Sequence, residues 1–215
     1  MSHRLISIKL MEKHKQLLRV YLCGAHSTGK TTLLGDVGKE LQGIKQESEI
    51  ARNVLDRMSA EERHRAIDYK NYPGEFENLQ RLILENQCEV DRQNANNGED
   101  YIADRGIDPI VYAALYLGDE AKKSLLALPI TQECIQRFKN SCIFVVYPHR
   151  QCMNVDGKRI TPVWNELTRF TEILIQILKD FKIEYIPVTV LDRSKRCKIV
   201  VDHIKQRQCN IRPNE

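Results

Sequence analysis

The sequence predicts an α/β fold, a parallel sheet of five strands covered by helices on both faces to give three layers. Two observations lead there. Short apolar runs alternate with longer amphipathic stretches, the pattern that sends crossover helices over a parallel sheet. The first of these runs is followed at once by a glycine-bounded segment, Gly24-Ala25-His26-Ser27-Thr28-Gly29-Lys30-Thr31, that opens a helix. The chain has 215 residues, 42% hydrophobic and 29% charged, which suffices for one substantial core without a second domain.

Taken in order, residues 1–16 read as a polar N-terminal extension, mixing Arg4, Lys9, Lys13 and Lys15 with Glu12 and lacking the continuous apolar region of a secretory signal. Residues 17–209 read as the domain. Its first strand is 18–23. Thr32, Leu33, Leu34, Val37 and Leu41 then fall at helical spacing. A weaker strand covers 43–48, with a helix over 50–58. Residues 73–96 predict a long amphipathic helix, with Pro73 in its first turn and Phe76, Leu79, Leu82, Ile83, Asn86 and Val90 on one face. Asn96-Asn97-Gly98 stops it. A short strand at 101–103 and a continuous apolar one at 141–147 follow, then a polar loop at 148–162, a helix over about 163–181, a fifth strand at 184–188 and a helix over about 193–208. Residues 210–215 read as a frayed polar tail.

Gly24 to Thr31 completes the pattern GxxxxGK[ST] in its strand, loop, helix context. In such a loop the glycines turn backbone N–H groups toward phosphate at the positive end of the helix. The loop from Gly24 through Ala25, His26, Ser27, Thr28 and Gly29 would hold the phosphates, with Lys30 reaching the outer ones. Thr31 would ligate magnesium through its hydroxyl. Thr32 sits in the first helical turn beside them. His26 lies in the loop without a catalytic task of its own.

Composition narrows the alternatives. No apolar stretch approaches the roughly 20 residues that span a bilayer, so the chain predicts a cytoplasmic location and at most peripheral contact with a membrane or phosphoinositide. A net charge of +4, spread along the chain, gives no support for a nucleic-acid partner. The seven cysteines include no CxxC pair and no zinc spacing, which predicts reduced thiols, with Cys23 and Cys142 packed in strands.

In an open parallel sheet, ligands lie beyond the carboxyl ends of the strands. Asp104, after the third strand, reads as the acidic residue that holds magnesium directly or through water; a helix cap is its other reading. Arg105 reads as a contact for substrate phosphate or as the ion-pair partner of Glu49. Glu49 could bind an acceptor hydroxyl and take its proton, or serve the dipole of the following helix, and Glu47 competes for the first role. Arg52, on the same segment, is a further candidate for contact with the substrate. The 148–162 loop carries Asp156-Gly157-Lys158-Arg159 and reads as a lid whose Lys158 and Arg159 close over phosphates, or as an exposed basic loop. Arg169, in the helix beyond, reads as a solvated face.

Taken together, these residues resemble the NadR-like P-loop NTPase (AAA-type) domain family, which includes nicotinamide riboside kinase domains and eukaryotic nucleotide-binding relatives. The resemblance rests on the phosphate loop, Glu49-Ile50-Ala51-Arg52, Phe76 with Gln80 and Gln87, Asp104-Arg105-Gly106-Ile107-Asp108 with Tyr112, and Asp156 to Arg159. It implies a sheet ordered 2-3-1-4-5, ATP or GTP with Mg2+, and transfer of the γ-phosphoryl group to a small hydroxyl-bearing acceptor. It also implies that Asp108 lies near that acceptor. The expected function is a phosphotransferase using Lys30, Glu49, Asp104 and Arg159; the alternative is a nucleotide-binding switch or trafficking module without kinase activity.

Overall fold

The computed structural model describes residues 17–152 and 163–211. Five strands, β1 (Arg19–Cys23), β2 (Lys45–Glu47), β3 (Tyr101–Asp104), β4 (Cys142–Val146) and β5 (Ile186–Val188), form one sheet in the order β2-β3-β1-β4-β5. Every pairing is parallel. The expected sheet and its order are therefore observed, with four strands shorter than expected and β3 longer by one residue, Asp104.

The α-helices among the described residues are α1 (Lys30–Glu40), α2 (Ile50–Asp56), α3 (Ala60–Ile67), α4 (Pro73–Asn96), α5 (Asp108–Leu117), α6 (Asp119–Leu126), α7 (Pro129–Phe138), α8 (Trp164–Asp180) and α9 (Arg193–Ile211), with a 3-10 turn at Arg150–Cys152. Alternation along β1 and β4 sends side chains to both faces. Val20, Leu22, Phe144 and Val146 pack with Leu33, Val37, Val200 and Ile204 of α1 and α9. Tyr21, Cys23, Ile143 and Val145 face the larger layer built from α4, α5, α7 and α8. Each such side chain, fully withdrawn from water, contributes about 1.5–3 kcal/mol, so the two-sided sheet is the energetic centre of the fold.

Several sequence expectations are corrected here. α3 and the series α5, α6 and α7 were not anticipated, and α9 runs to Ile211, so Asn210 is helical instead of frayed. The face of α4 that the core takes is Phe76, Leu79, Gln80, Ile83, Leu84, Cys88, Asp91 and Asn94. Val90 and Asn86 fall at its flank, because polar groups win the buried positions: Asp91 accepts a hydrogen bond from the Tyr21 hydroxyl at 2.7 Å, and Asn94 bridges Lys45 and Glu47. Cys88 of α4 and Cys134 of α7 are joined as a disulfide, their Cα atoms 5.9 Å apart. Forty-six residues of separation hid a pairing that only the helix packing creates. Cys23 is buried in the core as expected, whereas Cys142 is half-buried. The extension 1–16, the segment 153–162 with Lys158 and Arg159, and residues 212–215 lie outside the described residues. No helix among the described residues is long and apolar enough to cross a membrane.

Candidate functional site

Parallel register sets the site. Leu22 of β1 lies opposite Asp104 of β3, and the backbone N–H of Arg105 donates to the Leu22 carbonyl at 2.9 Å. The loop that leaves β1 and the charged pair that ends β3 therefore emerge side by side at one edge of the sheet.

Gly24 leaves β1 at φ 143° and Gly29 caps α1 at φ 86°, conformations that side chains resist. Between them Thr28 closes the loop on itself, its hydroxyl donating to the Ala25 carbonyl at 2.9 Å. Lys30 opens α1 with its ammonium inside the loop, donating to the carbonyls of Gly24 at 2.7 Å and Ala25 at 2.6 Å. Burial, reinforced by Arg105 nearby, lowers its pKa to about 8 against the pull of Asp104, Asp108 and Glu49. Thr31 and Thr32 are exposed on the first turn. The Thr31 hydroxyl donates to Asp104 Oδ2 at 2.5 Å, while Asp104 Oδ1 is buried with no hydrogen-bond partner among the described residues. Asp104 is the last residue of β3, and the next helix starts four residues on, capped at Ile107. The helix-cap reading is thus excluded.

A second charged layer adjoins the first. Arg105 adopts φ 89°, costly for a bulky residue and characteristic of functional sites. Its guanidinium pairs with Glu49 at 2.8 Å and stands 3.6 Å from Asp108. Burial alone would raise the Glu49 carboxyl, but Arg105, Lys30 and Arg52 outweigh it and hold its pKa below the usual carboxylate range. Asp108 differs. Burial pushes it up to about 6, with Asp104 adding to the push and Arg105 and Lys30 opposing it. Glu49 is the N-cap residue of α2 and makes no side-chain capping bond there. Arg52 reaches it from the exposed side at 3.1 Å. Glu47 instead binds Lys45 and Asn94, and Arg169 pairs with Glu172 on an exposed helix face as expected.

Between these charges and helices α2 to α5 lies a cavity of about 100 Å³. Ala51, Leu55, Ile67, Leu79 and Ile83 supply apolar walls, Phe76 and Tyr112 aromatic ones, and Glu49, Arg105, His26 and Gln80 the polar groups. Two of these residues, Gln80 and Tyr112, enter the sequence reading only as marks of the family resemblance with no role in the site, and one behind the loop, Arg196, does not enter it. The Tyr112 hydroxyl accepts from the His26 N–H at 3.0 Å and from Arg105 at 3.4 Å, so it ties the phosphate loop to the Arg105 layer. Arg196 of α9 donates to the Thr28 carbonyl at 2.7 Å and to that of Val190 at 2.6 Å. A signal for Arg196 existed only in its being a charged residue in line with Val200 and Ile204 on the core face of α9.

The sequence model of the AAA domain family matches residues 19–196. The chain belongs to that family. Its resemblance to NadR-like P-loop proteins, read from the spacing of the motifs, agrees with the solved structures of this AAA-type fold. A NadR protein solved in complex with NR superposes with a TM-score of 0.61 over 88% of this chain, at 18% identity. The chain spans 50% of that NadR chain. Shikimate kinase from Acinetobacter baumannii, solved in complex with shikimate, superposes with a TM-score of 0.51 at 14% identity, covering 89% of this chain and 96% of its own. No curated protein sequence matches the chain. The architecture is thus a P-loop kinase-like AAA domain.

Proposed function

We propose that this protein is a magnesium-dependent phosphotransferase that moves the γ-phosphoryl group of ATP or GTP to a hydroxyl of a small, nucleoside-like or other acceptor. One observation carries this reading: the phosphate loop and the cavity lined by Glu49 share a wall, formed by His26, Tyr112 and Arg105. Two compartments meeting at one point is what direct transfer between bound substrates requires.

The residues present fit a magnesium ion. Thr31 and Asp104 offer hard oxygen donors, and Asp104 Oδ1 is buried and unpartnered among the described residues. Such an ion, when bound, neutralises charge on the β- and γ-phosphate oxygens. Lys30 turns from the loop carbonyls to the outer phosphates, and Lys158 and Arg159 keep their proposed task of closing over them. The acceptor oxygen bonds to the γ-phosphorus as the bond to the bridging oxygen breaks. The bonding electrons stay with the nucleoside diphosphate, and the hydroxyl proton passes to Glu49. Glu49 suits that role because it is ionised at neutral pH and points into the acceptor cavity, positioned by Arg105.

Glu49→Ala is expected to lower phosphoryl transfer at least about 100-fold while triphosphate binding persists, since the carboxylate faces the acceptor. Transfer at the wild-type rate removes Glu49 from the chemistry. Intact triphosphate binding with no transfer by the wild-type protein across a broad set of hydroxyl acceptors would favour the nucleotide switch. Asp104→Asn is expected to raise the magnesium concentration needed for triphosphate binding by about tenfold, the loss of one charge-assisted contact. An unchanged magnesium titration would leave Asp104 only as the partner of Thr31.

A further inference from the structure

We propose, resting on the phosphotransferase reading, that the acceptor is an uncharged, unphosphorylated hydroxyl compound with an apolar body of about one ring. Four features of the cavity point to it. Its walls are aliphatic and aromatic, contributed by α2, α3, α4 and α5. Its volume of about 100 Å³ is on the order of the space that engineered apolar cavities offer a single benzene-sized ring. A neutral hydrogen-bonding group in its lining is the amide of Gln80, 4% exposed, which can donate to and accept from a polar substituent.

The fourth feature is electrostatic. Arg105 is the permanent cation among the described lining residues, and its charge is already committed. Glu49 holds it at 2.8 Å and Asp108 stands at 3.6 Å, with the Arg105 and Glu49 side chains 5% and 7% exposed. A phosphorylated or carboxylated acceptor would have to draw Arg105 off Glu49, separating that buried carboxylate from its nearest cation and setting it beside a second anion, and breaking such a pair is far costlier than leaving it formed. A hydroxyl meets no such cost, because it can donate to the Glu49 carboxylate while the pair stays intact. The same pair thus excludes anions and orients the reacting hydroxyl.

The test measures binding without turnover, with the phosphate loop first filled by a non-hydrolysable triphosphate analogue and magnesium so that anions cannot occupy it. The probes are benzyl alcohol against benzyl phosphate, uridine against uridine 5′-monophosphate, and shikimate, followed by ligand-observed NMR. In the wild-type protein the alcohols are expected to bind at least about tenfold more tightly than their phosphate esters, and shikimate to bind no better than those esters. Glu49→Gln, which removes the nearer carboxylate from Arg105, and Gln80→Lys, which adds an ammonium to the lining, are each expected to raise affinity for the anionic probes about tenfold. Wild-type preference for an ester or for shikimate, or anion binding unmoved by both substitutions, would overturn the inference. The phosphotransferase reading fails separately, through absent phosphoryl transfer while the analogue still binds, which leaves the alcohol-to-ester comparison within the cavity unaltered.

Discussion

Replacing Lys30 by alanine is expected to weaken triphosphate binding at least about tenfold, because it removes a charge-assisted contact worth about 1.5–3 kcal/mol. The ammonium sits at the mouth of α1, 4% exposed and held by two loop carbonyls, so an alanine there leaves the loop's N–H groups but no mobile charge. Calorimetry with ATP and GTP checks it, and unchanged affinity for both would remove Lys30 from phosphate binding. The depressed pKa of about 8 adds a signature. Phosphate favours the ammonium, so binding raises this pKa. Affinity should therefore be flat below about pH 7 and fall as pH rises through 8, with protons taken up on binding in that upper range. Titrations at about pH 8.5 in buffers of different ionisation enthalpy measure that uptake, because the triphosphate is itself fully ionised there. Zero uptake would place the Lys30 charge away from the phosphates. Lys30→Ala should abolish the uptake along with the affinity.

Gly24→Ala is the second large effect, and it acts through the fold. A Cβ at Gly24 would stand 2.5 Å from the Val146 carbonyl oxygen, on a backbone at φ 143°. The obstacle is backbone of the neighbouring strand, which cannot rotate aside as a side chain would. Either the loop leaves β4 or the strand pair separates. The strain and the lost packing together should cost about 3 kcal/mol, which for a chain of this size lowers the melting temperature by about 6–12 °C. Thermal denaturation reads it directly, and a melting temperature within about 1 °C of wild type would show that the β1–β4 approach is looser than the structure describes. Triphosphate affinity should fall in the same variant, since the displaced segment is the phosphate loop.

The loop, the five strands and the boundaries of α4 were legible because each depends on neighbours in sequence: glycines at fixed spacing, continuous apolar runs, Pro73 and the Asn-Asn-Gly stop. α3 carries a signal in its own sequence. Ser59 and Glu62 make a reciprocal capping box, and S-x-x-E before a helical stretch is visible without coordinates. The run from Asp108 to Phe138 was harder, since three short helices in series present no long period. Asp104 could be proposed for magnesium by its place after β3, but only the register with β1 brings it to Thr31.

By itself, then, the sequence determined that a phosphate loop follows the first strand of a parallel sheet, and which carboxylates and cations stand at the strand ends. Tertiary structure decided what those charges do. Arg105 commits its charge to Glu49 and Asp108, Tyr112 links it to His26, and α2 to α5 line a largely apolar cavity with residues up to 61 positions apart, Ala51 to Tyr112. Hydrogen bonds and ion pairs fall off within a few ångströms, so their partners are set by crossovers and register, which no local pattern of residues encodes.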